Sequence, residues 1–595
     1  MKGKHHFLLR TLCLLLTLLL LQPVSAISAA SGLQELRSSR IELNDQLTLV
    51  TVTNYNWAND QHAVEHYFEY VPGGDVLPMV CYGPGIYGVS SAKTIFSTEA
   101  EAGNVLTGLT NGDFFVMSTG VSLGPVIRDG IVRTGGSGSV IAFGEDGSVY
   151  MGDPSLAVSL DFPGQDVSFA KINFNKALSG DNGICVFSGD FGSTNGAVLP
   201  AYNLLLRIED GEPRLGSTME CSVMSGFESE GRVDVPEGCI LLSIASSTEY
   251  AVPLQLLQDM EPEAKVLLRF SCSPEFENVQ HAIGCEKWLI QDGLISGGLD
   301  GSTRAPRTAA GLRRDGSFVL YTVDGRQKGY SMGVTMMGLA QRMEELGCVQ
   351  AVNLDGGAST QLFAVLPGDT QQQQINVDSD PDYLRSCANY IAFANCNQQG
   401  GTPAHLHLYP YDEYVLSGTR VELTAKATDA GYFAAEVPED IRYTCDELGS
   451  MEDNVYIAGD RTGVGEIYAR SGKAEGSVKV NIIADPDSIT VYADGRAVTS
   501  LNAGLDKSYQ LTASSLYRGQ TLRSDQACYS WSITGDIGTI DEDGVFTAEG
   551  EHGAEGSITV RAGSTEQTIS VVLRQTLPME ELQEWILELV QNINE

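Results

Sequence analysis

The pattern of apolar and polar positions divides the chain into three stretches. From about residue 27 to 397, short apolar runs alternate with turns. Ala63–Tyr70 and Ser317–Val323 read as strands. Val334–Leu346 reads as an amphipathic helix, because Leu339, Met343 and Leu346 fall on one stripe and Gly347 follows as a stop. From 402 to 575 the grammar changes to two similar β-modules. The first holds VELTAKA (421–427), IRYTCDELGSM (441–451) and GSVKVNII (476–483). The second holds YQLTASS (509–515), CYSWSITGDIGTID (528–541) and GSITVRAG (556–563). This recurrence predicts two immunoglobulin-like sandwiches, at 402–484 and 486–575, joined at Ala484–Asp487 and preceded by a linker at Asn397–Pro403. In the third stretch, Met579, Leu582, Ile586, Leu589, Val590 and Ile593 recur at helical steps behind Pro578, predicting a helix over 577–595. The class expected for 27–397 is α+β: strand-rich, with a mixed sheet and few helices.

The 595 residues carry 76 acidic and 37 basic side chains, a formal charge of −39. Neutralising a phosphate backbone needs a basic face, so nucleic acid is excluded as a partner. Gly is abundant, at 65 residues, which fits many turns between short strands. The first 26 residues read as a secretory signal. Lys2, Lys4 and Arg10 precede an apolar run from Leu12 to Leu21, and Val24-Ser25-Ala26 supplies small residues for cleavage after Ala26. The mature protein is therefore expected outside the cytoplasm. There, some of its eleven remaining cysteines are expected to pair, with Cys221/Cys239, Cys272/Cys285 and Cys387/Cys396 as local candidates.

Two regions concentrate polar chemistry. In Thr110–Phe115, a strand would put Asn111, Asp113 and Phe115 on one face: an amide, a carboxylate and an aromatic ring. The second region begins with Arg304 and Arg307, close together in a chain poor in arginine. Guanidinium groups hold carboxylate or phosphate oxygens by paired bonds. It continues through Val323-Asp324-Gly325-Arg326 to Asn353-Leu354-Asp355-Gly356-Gly357-Ala358-Ser359-Thr360. There a buried strand ends in Asn353 and Asp355, glycines free the backbone to face an anion, and Ser359 and Thr360 add hydroxyls. Asp355 and Asp324 with carbonyl oxygens are compatible with Ca²⁺ or Mg²⁺, but no cofactor is required and no metal ligands are assigned. His62 and His66 read as surface or packing residues.

NGDFF, TRAPRTAAG, VDGR and LGCVQAVNLDGGAST, in this order, resemble the phosphodiester glycosidase family. The likeness spans about 80–395 and reaches neither the β-modules nor the last helix. It implies hydrolysis of a sugar-1-phosphodiester of the GlcNAc-α-1-phosphodiester type to free sugar and a phosphomonoester. Charge developing on the departing phosphate would be met by Arg304 and Arg307, and charge on the sugar by a carboxylate. The expected catalytic residues are Asp113, Asp355 and Arg307. The expected substrate-binding residues are Asn111, Arg304, Asn353, Gly356, Gly357, Ser359 and Thr360. The partner is a sugar phosphate or glycan, with the β-modules holding a cell-surface polymer. Two alternatives share the scaffold: a non-catalytic glycan- or cell-wall-binding protein, and a hydrolase of cell-wall or exopolysaccharide phosphodiesters.

Overall fold

The computed structural model describes residues 31–164, 167–179, 183–246, 254–380, 384–575 and Val590. The expected signal segment and, apart from Val590, the expected C-terminal helix lie outside the described residues. Among the described residues no helix is long and apolar enough to cross a membrane. The chain forms two compact units. One comprises the described residues through Arg37 with Leu49–Ala364 and Gln373–Cys396; the other comprises Ser38–Thr48, Val365–Gln372 and the residues from Asn397 onward. Ser38–Thr48 and Val365–Gln372 thus group with the β-modules, although they lie inside the stretch read from sequence as the first domain.

The first unit is built almost wholly of strands. An eight-stranded sheet runs through neighbours Gln61–Tyr70, Phe318–Val323, Arg307–Arg313, Cys348–Asn353 and Lys287–Gln291, all paired antiparallel. The apolar residues of these strands, among them Leu289, Ala309, Tyr321 and Ala351, are buried with Leu339 and Met343 of the helix Met336–Glu345. That helix starts at Thr335, whose hydroxyl accepts from the Gly338 N–H at 3.0 Å, and it stops before Gly347, which adopts φ +85°. A five-stranded sheet contains Leu362–Ala364, Leu106–Asn111, Asn389–Asn395 and Val76–Tyr82 as neighbours, again antiparallel. A second five-stranded sheet includes Val126–Arg128, His281–Gly284 and Val140–Phe143. A second eight-stranded sheet has its own apolar core, with Val158, Phe174, Leu204 and Leu268 among its buried residues. Within that sheet Asn173–Phe174 and Ile184–Phe187 pair in parallel.

In the second unit, two successive modules each set two sheets over a separate core. In the first, Leu406, Ile467 and Val480 meet Val421 and Tyr456. In the second, Leu511 and Phe546 meet Ile558 and Ile569. The VELTAKA run does not form one strand. It breaks at Leu423 into Arg420–Glu422 and Thr424–Thr428, which belong to different sheets.

All eleven described cysteines are free thiols, so the expected disulfides are not formed. Sheet geometry explains two of the three. Cys221 and Cys239 lie on strands separated by Ala201–Asp210, where Ile208 faces Cys221 and Arg207 faces Cys239. Two strand spacings are about 9–10 Å, beyond the roughly 4.4–6.8 Å between Cα atoms that a disulfide spans. Cys387 and Cys396 flank the extended strand Asn389–Asn395 at opposite ends. Cys272 follows the strand Lys265–Ser271 and Cys285 follows the strand His281–Gly284, which belong to different sheets, and burial pushes both thiols up in pKa.

Candidate functional site

Antiparallel pairing brings strand ends of opposite direction to one edge. Lys287 and Ala309 both face Asn353, Arg307 faces Val323, Thr110 faces Leu362, and Tyr390 faces Asn111. The two polar regions of the sequence therefore meet where the eight-stranded and five-stranded sheets end. Direct bonds join them. The Asp355 N–H donates to the Gly112 carbonyl at 3.0 Å, and Asn111 Nδ2 donates to the Asp355 carbonyl at 2.6 Å.

Asn111 is a hub. Its Oδ1 accepts from Thr308 Oγ1 at 2.9 Å and from the Gln361 N–H at 3.1 Å, and the residue is 1 % exposed. Its amide is spent on the protein, so it positions the Asp355 segment and is not open to a sugar hydroxyl. The expected strand face through Phe115 does not form, because the strand ends at Asn111. At Gly112 a Cβ would come within 2.3 Å of Ile283 Cδ1 and 2.4 Å of Asn389 Oδ1, so the chain passes there as bare backbone and turns away.

Asp113 also departs from expectation. Its carboxylate is 3 % exposed, and Oδ2 accepts from the Gly124 N–H at 2.7 Å and from Ser122 Oγ at 3.1 Å. Gly124 and Gly284 close over it: a Cβ on Gly284 would lie 2.6 Å from Oδ2. Burial pushes its pKa up to about 6, opposed by the Gly124 N–H and by the positive charge of Lys176. Lys176 is a site residue that no sequence signal marks, since the lysines of KINFNKA carry no motif. It is buried, and its Nζ donates to the carbonyls of Ser122 (2.6 Å), Leu123 (3.1 Å) and Gly124 (2.8 Å), the turn that holds Asp113. Burial draws its pKa down to about 8.

Asp355 is half-buried at the open end of its strand. Burial raises its pKa. The Ser359 hydroxyl, the Gly356 N–H and the Arg385 charge pull it back, while Glu286 pushes it up. Glu286 is exposed on the adjoining segment, where its N–H donates to the Asn353 carbonyl at 3.4 Å. Burial lowers the Arg307 pKa; the Asp300 carboxylate opposes that shift, Arg326 adds to it, and Glu286 opposes it in turn. Arg307 Nη2 donates to the Thr303 carbonyl at 3.2 Å, and Arg304 Nη1 donates to the Gly333 carbonyl at 3.1 Å. Arg326 lies beside Gly357: a Cβ on that glycine would be 3.4 Å from Arg326 Nη2. Arg304, Arg307, Arg326 and Arg385 have no carboxylate within 4.0 Å among the described residues, whereas other arginines, such as Arg128 and Arg342, are paired.

The glycine turn is tighter than the sequence suggests. The Gly357 N–H, expected to face an anion, donates to the Pro306 carbonyl at 2.9 Å, and Gly357 needs its φ of +64° to do so. At Gly356 a Cβ would lie 3.0 Å from the Pro306 carbonyl oxygen, so the turn rides directly over the arginine strand. Thr360 is buried, 3.5 Å from Thr308 Oγ1, and supports the turn. Ser359 is buried beside Asp355. Asn353 is 1 % exposed, and its Oδ1 finds no partner among the described residues, an unmet acceptor next to Asp355.

No group of three His, Cys, Asp or Glu side chains among the described residues is placed to hold a metal. Asp324 Oδ2 is engaged by Tyr330 OH (2.9 Å), the Val377 N–H (3.0 Å) and His66 Nε2 (3.3 Å). His66 is buried and also meets Thr51 Oγ1 at 3.0 Å, a packing role.

Residues 226–394 match the family model described as phosphodiester glycosidase. The match contains Glu286, Arg304, Arg307, Arg326, Arg385, Asn353 and Asp355; Asn111, Asp113 and Lys176 precede it. An uncharacterized protein of Bacillus subtilis, the SPbeta prophage-derived YomE, is 37 % identical over 79 residues, 12 % of each chain. The chain thus spans a small part of the length of that curated relative. Among solved structures, a hypothetical protein from Synechocystis is 18 % identical with a TM-score of 0.48, covering 60 % of this chain and 64 % of that one. The zebrafish N-acetylglucosamine-1-phosphodiester alpha-N-acetylglucosaminidase catalytic domain, auto-inhibited by its pro-peptide, is 14 % identical with a TM-score of 0.31, covering 60 % and 87 %.

Proposed function

We propose that this protein is an extracytoplasmic hydrolase that cleaves a sugar-1-phosphodiester to free sugar and a phosphomonoester. The observation that carries the reading is the set of arginines around Asp355 that lack carboxylate partners among the described residues, in a chain of net charge −39. Acidic side chains outnumber basic ones twofold, so arginines left unpaired at one spot are available to an anionic ligand. Arg307, Arg326 and Arg385 take the phosphate, stabilising charge as it leaves; Arg304 holds the loop at Gly333. Asp355, its basicity raised by burial, stabilises or attacks the sugar carbon or activates water there. Glu286 is the second carboxylate of the site, and Asp113 acts through the turn it braces. The two β-modules, read as immunoglobulin-like, hold the enzyme at a surface polymer.

The test is incubation with GlcNAc-α-1-phospho-alcohols of varied sugar and alcohol, measuring both products. Arg307→Ala is expected to lower kcat/KM by about 10²–10³-fold, the scale for losing one transition-state charge contact. Tight binding of these compounds with no product from any of them would instead establish a non-catalytic glycan binder.

A further inference from the structure

A cavity adjoins this site. It has a volume of about 480 Å³, within the roughly 300–1,000 Å³ of ligand pockets. One wall is the segment from Val116 to Leu123 that follows Asp113; the opposite wall is Lys171–Ser179. Lys171 and Lys176 are the charged groups lining it, with Ser118, Thr119 and Ser137 adding hydroxyls. No acidic residue is among the described residues that line it, in a chain where acids outnumber bases 76 to 37. Low-dielectric walls around one sign of charge concentrate the field. Lys176 is committed to three carbonyls, yet it keeps its charge at this wall, while Lys171 is exposed and free to turn its ammonium toward a ligand.

The cavity and the catalytic edge share a wall. The turn 122–124 faces Asp113 through Ser122 Oγ and the Gly124 N–H, and faces Lys176 through its carbonyls. One residue before Asp113, the Gly112 carbonyl accepts from the Asp355 N–H. The rim is partly apolar: Val116 is 40 % and Leu123 54 % exposed, as suits contact with the carbon face of a sugar.

We propose that this cavity is a subsite for a second, anionic sugar unit, so that the substrate is a polyanionic saccharide and not an isolated sugar phosphodiester. The proposal rests on the function given above for Asp355 and its arginines. The anionic group is a phosphodiester or a carboxylate, and the test has an arm for each.

Binding is measured by calorimetry with the Asp355→Asn protein, so that it does not depend on turnover. Three oligosaccharide phosphodiesters of equal length are compared. In one the second unit is neutral, in one it carries a phosphodiester, and in one it is a uronate. At least one anionic ligand is expected to bind about tenfold tighter than the neutral one. Lys171→Glu is expected to remove that preference and leave the neutral ligand's affinity unchanged. Equal affinity for all three ligands, or a preference that survives Lys171→Glu, overturns the subsite. Loss of turnover on every substrate by the wild-type protein would count against the hydrolase reading alone, because the binding comparison is independent of it.

Discussion

Asp355→Asn is expected to lower kcat at least ~10³-fold, roughly 4 kcal/mol of barrier, without unfolding the protein. The substitution keeps shape and removes charge. The backbone bonds that seat the residue, from its N–H to Gly112 and from Asn111 to its carbonyl, do not involve the carboxylate. Stability should move the opposite way to activity. Burial raises the carboxyl pKa in the folded state. A group so shifted contributes stability that is present at low pH and lost as pH rises through the folded pKa. At pH 7 the wild-type carboxylate is therefore a cost to the fold. The variant should melt at the same or a higher temperature than wild type at pH 7, with the gap closing toward pH 4. Calorimetric melts across that range, run beside the turnover assay, decide the matter. A variant that retains activity removes Asp355 from the chemistry, and one that melts much lower makes it a structural residue.

Asp355 is legible in the sequence because its signal is local: a buried strand ending in Asn and Asp, followed by two glycines that the turn over Pro306 requires. The Met336–Glu345 helix is legible for the same reason, with its stripe, cap and stop close together in the chain. The change of grammar near residue 400 marks a division that the structure places at Cys396. Residues whose role depends on sheet register are not legible. Asn111 looks like a substrate ligand until Tyr390 and Leu362, far along the chain, place its strand between theirs. Glu286 and Arg385 stand in no motif and reach Asp355 only because the strand edges converge. Asp113 misleads for a related reason. A period-two face needs a strand that continues, whereas Gly112 is pressed against Ile283 and Asn389 and sends the next side chain inward. Two of the three disulfide candidates, Cys221/Cys239 and Cys387/Cys396, fail because nearness in sequence says nothing about which strands intervene.

Lys176 is where the largest stability effect is expected. Lys176→Met leaves three carbonyls without their donor and a buried carboxylate without its cation. Breaking such a buried arrangement costs about 3–5 kcal/mol. Two titrations make the loss pH-dependent. Asp113, already pushed up to about 6 by burial, is held down in part by Lys176. Without the lysine its folded pKa rises further, so the variant should lose stability as pH climbs from 5 to 8. In the wild type the lysine itself, drawn down to about 8 from 10.5, adds stability as pH rises above 8, a gain the variant lacks. The gap between the proteins should therefore widen with pH from both causes. Adding Asp113→Asn to Lys176→Met removes the stranded charge and should recover part of the loss, giving a non-additive cycle. The same stability deficit at pH 5 and pH 8, together with an additive double variant, would show that the two groups do not act as a pair. In that case the turn over Asp113 is held by the carbonyl bonds of Lys176 alone.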